Sequence, residues 1–324
     1  MSATPYIATD HGIVIFEQTT EGWEERGGGL TGQHITSITT QQGAILAGTR
    51  DGVQRSTDGC GTWWPVNDGL TEHHIRWITL HPDGSGRAFA GTEPAAIFVT
   101  KDLGDTWQAC PEVSDLRDAH GWYLPYSPEA GAVRGFAFQG SRGYAAVEQG
   151  GVLRTDDYGE SWSLVEGSDG KPVHTPPEGN IQNDVHSIAI HPGDPNRVAA
   201  PTGGGFYTSV DGGRSWTELY DCYCRAVWLD PNYPGHMVLG PADGVDRVGR
   251  IEETENGGQT WTRIMDGLEV SWAEHMVERF LQVDDVLLAV LSNGQLLSSP
   301  LNQWAWAEIL PPVQGVNAVA TLAL

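Results

Sequence analysis

Read for the alternation of apolar and polar positions, the chain divides into runs of about four to eight residues closed by Gly, Pro, Asn or Asp. No long segment carries the three-to-four-residue spacing of an amphipathic helix. HIRWITLHP, DVHSIAIHP and CRAVWLDP are apolar runs that stop at a proline turn, and RGYAAVE (142–148) and GGVLRTDD (150–157) follow one another across a tight turn. The pattern predicts many short strands, and the 42 glycines and 19 prolines fit the turns between them.

One motif recurs. SVDGGRSW, ending at Trp216, has counterparts in STDGCGTW at Trp63, TKDLGDTW at Trp107, TDDYGESW at Trp162 and TENGGQTW at Trp261, read together as Ser/Thr-x-Asp/Asn-x-Gly-x-Ser/Thr-Trp. FEQTTEGW at Trp23 and SPLNQWAW at Trp306 keep little beyond the tryptophan. These seven tryptophans lie about 40 to 55 residues apart, the period of a four-stranded propeller blade. Turn chemistry explains the recurrence: the Asp or Asn accepts from the backbone N–H groups that follow, and the Gly takes a backbone angle other residues resist. The indole buries a large apolar face where the next strand begins. An octet repeated five times reads as a hairpin clip rather than a catalytic site.

Counting back from each tryptophan sets the register: the third strand runs into the octet, the second precedes it, the first is an apolar run, and the fourth follows the tryptophan. YIATDHGIVIF and Trp23 supply strands two to four of the first blade, and GVNAVATLAL (315–324) supplies its missing first strand, so both chain ends close the ring. The expectation is an all-β, seven-bladed β-propeller with four antiparallel strands per blade, a single domain over residues 1–324. The octets all fall at one face, the bottom. The turns between second and third strands and the blade-to-blade crossings fall at the top, where a ligand is to be sought.

With these octets the sequence resembles the Asp-box, or BNR-repeat, propellers: the sialidase-like group, sortilin-type receptors, two-propeller xyloglucanases and photosystem assembly factors. The resemblance covers nearly the whole chain and implies the fold without a single activity. In sialidases three arginines hold the substrate carboxylate, and Arg76, Arg134 and Arg225 match that trio in number. The Phe/Tyr-Arg-Ile-Pro signature is missing, no Tyr aligns to a ring-facing position and seven repeats replace six blades, so a classical sialidase is not expected. The xyloglucanases set two acids across a cleft between two propellers, and this sequence supplies one propeller.

A net charge of −24 argues against nucleic acid or an anionic membrane as partner. MSATPYIATDHG lacks the charged start and apolar core of a secretory signal, and no stretch approaches the roughly 18 apolar residues of a membrane span. Cys60, Cys110, Cys222 and Cys224 show neither a disulfide framework nor zinc-site spacing. A reduced, cytoplasmic protein is expected.

Two aligned columns look toward the top. Thr36, Arg76, Arg134, His186, Arg225, Glu278 and Asn317 stand near the starts of first strands; Thr9, Thr49, Glu93, Glu148, Thr202, Asp243 and Ser292 stand near the ends of second strands. Three arginines and a histidine around one axis, in so acidic a protein, make a basin for a carboxylate, sulfate or phosphate. The alternative is structural, with Arg76 paired to Glu93 and Arg134 to Glu148 inside their own blades. His34, His74 and His120 map to the top, and Trp122 sits in the long crossing PEVSDLRDAHGWYLPYSPEAG (111–131) with Tyr123 and Tyr126. These aromatics either stack on a sugar ring or plug the axis. A second long crossing, 165–184, carries His174. If chemistry occurs, Glu148 and Glu93 are the candidates for general acid and base. No metal ligand set and no cofactor are assigned; a divalent metal at the top-face histidines with Glu93 or Glu148 is the minor alternative, without HxH or HExxH spacing to support it. His81, His191 and His236 are assigned to bottom turns.

Two functions follow as expectations. One is the binding of a small anionic or glycan-like ligand in the axial funnel, extended to hydrolysis or elimination if the carboxylates act. The other is a non-catalytic propeller that binds a protein partner.

Overall fold

Both faces of a propeller blade are covered by neighbouring blades, and the inner strands show it. Ala44–Thr49, Ala88–Thr92 and Met237–Ala242 are buried at every position, so they read as continuous apolar runs rather than alternating ones. The computed structural model describes residues 4–19, 22–172, 175–268, 271–309 and 313–322. Among these, the chain forms seven four-stranded antiparallel sheets and one helix. Six sheets keep chain order. In the first blade Val316–Leu322 pairs with Thr4–Thr9, beside Gly12–Thr19 and Gly22–Gly29, so the ring closes through the C-terminal strand as expected. Ile7, Phe16 and Val316 then pack against Leu288, Val290 and Leu296 of the seventh blade.

The five complete octets fold alike as the turns joining third to fourth strands. Asp102 accepts the Thr106 N–H at 2.9 Å and the Thr106 hydroxyl at 2.7 Å; Thr100 Oγ1 donates to Asp102 at 2.6 Å and accepts the Gly104 N–H at 2.9 Å. Asp58, Asp157, Asp211 and Asn256 hold the equivalent contacts. The fifth octet position is left-handed each time. Gly104, Gly159, Gly213 and Gly258 supply it, but in the first octet Cys60 does so at φ +77°, a departure from the glycine of the pattern. Cys60 is buried in the core between the first two blades. The tryptophans also join blades: Trp107 donates its backbone N–H to Asp68 and its indole N–H to Val66, both at 2.8 Å, and Trp306 does likewise with Asp266 and Ile264.

A second recurrent device positions the site. Where the first strand begins, six blades carry a β-bulge against the second strand. The extra residues are Thr36 between Ile35 and Ser37, Arg76 between Ile75 and Trp77, Arg134, the Arg225–Ala226 pair, Glu278 and Asn317. A bulged residue is released from the ladder and its side chain re-aimed. Apart from His186, the polar column of first-strand starts is the bulge column.

The helix, α1 (Pro111–His120), lies in the first long crossing and departs from the all-strand expectation. Only Val113 of its ten residues is fully buried, so no apolar stripe marked it. Its local signals are Pro111 and Glu112 in the first turn and Gly121 closing it at φ +64°.

Candidate functional site

The bulges bring Thr36, Arg76, Arg134, Glu278 and Asn317 to an axial cavity of about 260 Å³, whose wall also includes His34, Arg50, His74 and Arg279. Each column arginine has a carboxylate. Arg76 Nη1 lies 2.7 Å from Glu93 Oε2, and Arg134 Nη1 lies 3.0 Å from Glu148 Oε2. Arg225, which has no acidic partner in its own blade, reaches Glu278 of the next and is braced by the Tyr223 hydroxyl at 2.7 and 3.0 Å. Burial alone would raise the Glu148 carboxyl, but Arg134, His186 and the Tyr126 hydroxyl hold it down at about 2. Glu278 likewise stays below its ordinary value despite burial, because Arg225, Arg134 and Arg279 surround it.

Arg279 was outside the sequence columns, one residue past the bulge. It stacks on Trp77 of the third blade, 4.6 Å from the ring centre, and donates to the Glu278 carbonyl at 2.7 Å. Among the described residues it has no carboxylate within 4 Å. Burial, reinforced by Arg134, pulls its guanidinium down to about 9. Arg50, exposed at the rim, has no ion-pair partner among the described residues either. His34 Nδ1 lies 2.9 Å from Asp10 Oδ1, and His74 Nδ1 lies 3.9 Å from Glu93 Oε2. Burial first, then Arg50 and Arg76, lower both imidazoles despite these carboxylates.

The second-strand column splits in two. Thr9, Thr49 and Thr202 turn inward on their own hairpins, each hydroxyl donating to the glycine carbonyl three residues on at 2.7–2.8 Å. By strand pairing the axial position is one residue later, which aligns Glu93, Glu148 and Ser292 with Asp10 and Arg50. That one-residue offset hid Arg50.

The first long crossing meets the site through Tyr126, one of its aromatics, and through Ser127, not through Trp122 or His120. Trp122 is buried between blades with Val113, Val133 and Val147 and donates to the Gly170 carbonyl at 2.7 Å, and His120, at the end of α1, packs beside Gly170. Neither lines the axial cavity. Tyr126 instead donates to Glu148 at 2.7 Å, and Ser127 donates to Glu93 at 2.7 Å. His186 sits behind the cavity wall, its Nδ1 3.0 Å from the Cys224 carbonyl. His81 and His191 accept backbone N–H groups within their turns, at 3.2 and 3.0 Å, and His236 bridges Asp230 and Glu253. His174 lies outside the described residues.

These features define a seven-bladed β-propeller with an arginine-lined axial cavity. No protein-family model matches the chain. It is 24% identical over 206 residues to an oligoxyloglucan-reducing end-specific xyloglucanase of Emericella nidulans, a match covering 54% of this chain and 25% of that relative. Among solved structures it is similar to YCF48 bound to D1 peptide (TM-score 0.61, 18% identity, 89% of this chain and 85% of that one). It is also similar to an ancestral GH74 enzyme (TM-score 0.65, 14% identity, 95% and 40%). At these identities the likeness shows the fold. Among the described residues no helix is long and apolar enough to cross a membrane.

Proposed function

We propose that this propeller binds a small anionic ligand, presenting a carboxylate, sulfate or phosphate, in its axial cavity. The observation that carries the reading is Arg279, a largely buried guanidinium facing the cavity without a carboxylate partner among the described residues, beside Arg76 and Arg134. A buried cation of this kind is stabilised by an anion brought to it. The octets, which resemble Asp-box clips, hold the scaffold rigid at the opposite face.

The cavity, about 260 Å³, is at the small end of ligand pockets, which run from about 300 Å³ upward. That favours a single compact anion or the anionic end of a longer molecule over an oligosaccharide. Glu148, held near 2, is a carboxylate at neutral pH and suits the anchoring of Arg134 better than the donation of a proton. Glu93 is similarly tied to Arg76 and Ser127. Both are therefore read as supports of a binding site rather than as a catalytic pair. A protein partner fits the same chemistry: the YCF48 neighbour holds a peptide, and a peptide carboxylate would meet Arg279.

Calorimetric titration of sulfate, phosphate and citrate into the wild type and an Arg50→Ala/Arg279→Met double variant tests this. The expected result is saturable binding that weakens at least about tenfold in the variant, the scale of one charge-assisted hydrogen bond. Equal binding by both proteins would overturn the reading.

A further inference from the structure

Behind the arginine-lined wall, three metal-ligating side chains converge from two blades. Asp184 and His186 flank Val185 in an extended segment, so their side chains leave on the same side. The segment is fixed by hydrogen bonds from the His186 N–H to the Pro201 carbonyl and from the Gly203 N–H to the Asp184 carbonyl, each 2.9 Å. Glu148 arrives from the end of the second strand of the fourth blade. One donor atom from each of the three lies within 4.8 Å of the others.

Hydrogen-bond geometry orients all three toward one point. The Cys224 carbonyl, 3.0 Å from His186 Nδ1, can only accept, so Nδ1 carries the hydrogen and Nε2 is left facing Asp184 Oδ2 at 3.4 Å. His186 is 1% exposed, and Asp184 Oδ1 is buried without a hydrogen-bond partner. Glu148 Oε2 serves Arg134 and Tyr126, and no hydrogen bond engages its Oε1 among the described residues. An imidazole oriented through Nδ1 by a backbone carbonyl, beside a carboxylate itself held by hydrogen bonds, is how proteins set the ligands of a metal.

We propose that Glu148, Asp184 and His186 bind one divalent transition-metal ion, with His186 ligating through Nε2. One imidazole and two carboxylates suit manganese, iron, cobalt or zinc rather than a thiophilic ion. Asp184, whose side chain is 18% exposed, provides the route in from solvent. The site shares Glu148 with the support of Arg134 but uses neither Arg279 nor Arg50, which carry the anion reading, and it brings in Asp184, which belongs to neither polar column.

The test is titration of chelator-treated full-length protein with Mn²⁺, Co²⁺ and Zn²⁺ separately, followed by calorimetry and, for Co²⁺, by its visible d–d absorption. The expected result is one ion per chain. Asp184→Asn, a conservative change at the most exposed member, should weaken binding about 10- to 100-fold and alter the Co²⁺ spectrum, with metal-free melting unchanged. His186→Gln should abolish the spectrum. Absence of saturable binding by all three ions, or wild-type affinity in Asp184→Asn, would overturn the proposal and leave the cluster as a structural contact between two blades.

Discussion

Arg279→Met is expected to stabilise the ring while weakening anion binding. At neutral pH, below both its ordinary value and its value of about 9 in the folded chain, Arg279 is charged in the folded and unfolded states alike. The cost of its surroundings is therefore fully present. At about 1.4 kcal/mol per pH unit the difference corresponds to about 5 kcal/mol, which screening by solvent in the cavity reduces to about 4 kcal/mol. The stack on Trp77 and the bond to the Glu278 carbonyl return about 2 kcal/mol, and the variant loses them. A net gain of about 2 kcal/mol remains, within the range found when buried charges are replaced by apolar groups. For 324 residues, at about 2.1 cal/mol/K of unfolding entropy per residue, this raises Tm by about 3 °C. Differential scanning calorimetry in an anion-poor buffer reads the gain, and added sulfate should then stabilise the wild type more than the variant. A variant that melts below the wild type in that buffer would show that Arg279 is a structural residue and sink the argument.

Removing residues 316–322 takes away the first strand of the first blade together with Val316 and Asn317 of the cavity wall; cooperative melting should be lost, and an unchanged transition would refute closure by this strand. Gly159→Ala should cost about 3 kcal/mol or more in urea unfolding, because its Cβ would stand 2.1 Å from Phe89 Cε1 at φ +78°. Gly140→Ala, left-handed at φ +58° but in open space, should cost only about 1 kcal/mol, and equal losses would contradict the steric account. Anion affinity should rise as pH falls from about 7.5 to 5.5, because His34 and His74, held below the ordinary 6.5, gain protons when an anion binds. Without anion the sign reverses for stability: the depressed imidazoles favour the fold above about 6.5 and their contribution fades as pH drops through the folded values. An affinity that is flat across this window would refute the role of the two histidines.

The ring, its order of strands and its closure were legible because the octets repeat a local turn whose hydrogen bonds involve only near neighbours, so counting from each tryptophan survives long crossings. The first-strand column was legible for a reason visible only in three dimensions: six of its seven polar residues, all but His186, sit on a bulge. Arg279 escaped because a bulge sends two successive residues away from simple alternation, and Arg50 escaped because the threonine before it, Thr49, completes the turn and looked like the axial residue. Trp122 carried the expected bulk of an aromatic platform, but its indole N–H found the Gly170 carbonyl in the interior. Helix α1 was invisible to periodicity since it rests on the ring by one fully buried residue.

The strand that seals the first blade also contributes Val316 and Asn317 to the cavity, so the axial cavity is not whole until the circle is complete. A chain still open at the seam lacks part of the wall that faces Arg76 and Arg279, and a ligand gains its full set of contacts only from finished molecules. If the cavity binds an anion as proposed, occupancy is linked to closure, and each bound anion would draw the population toward the sealed ring. On that reading the pocket would act as an inspection point for the assembly of its own walls.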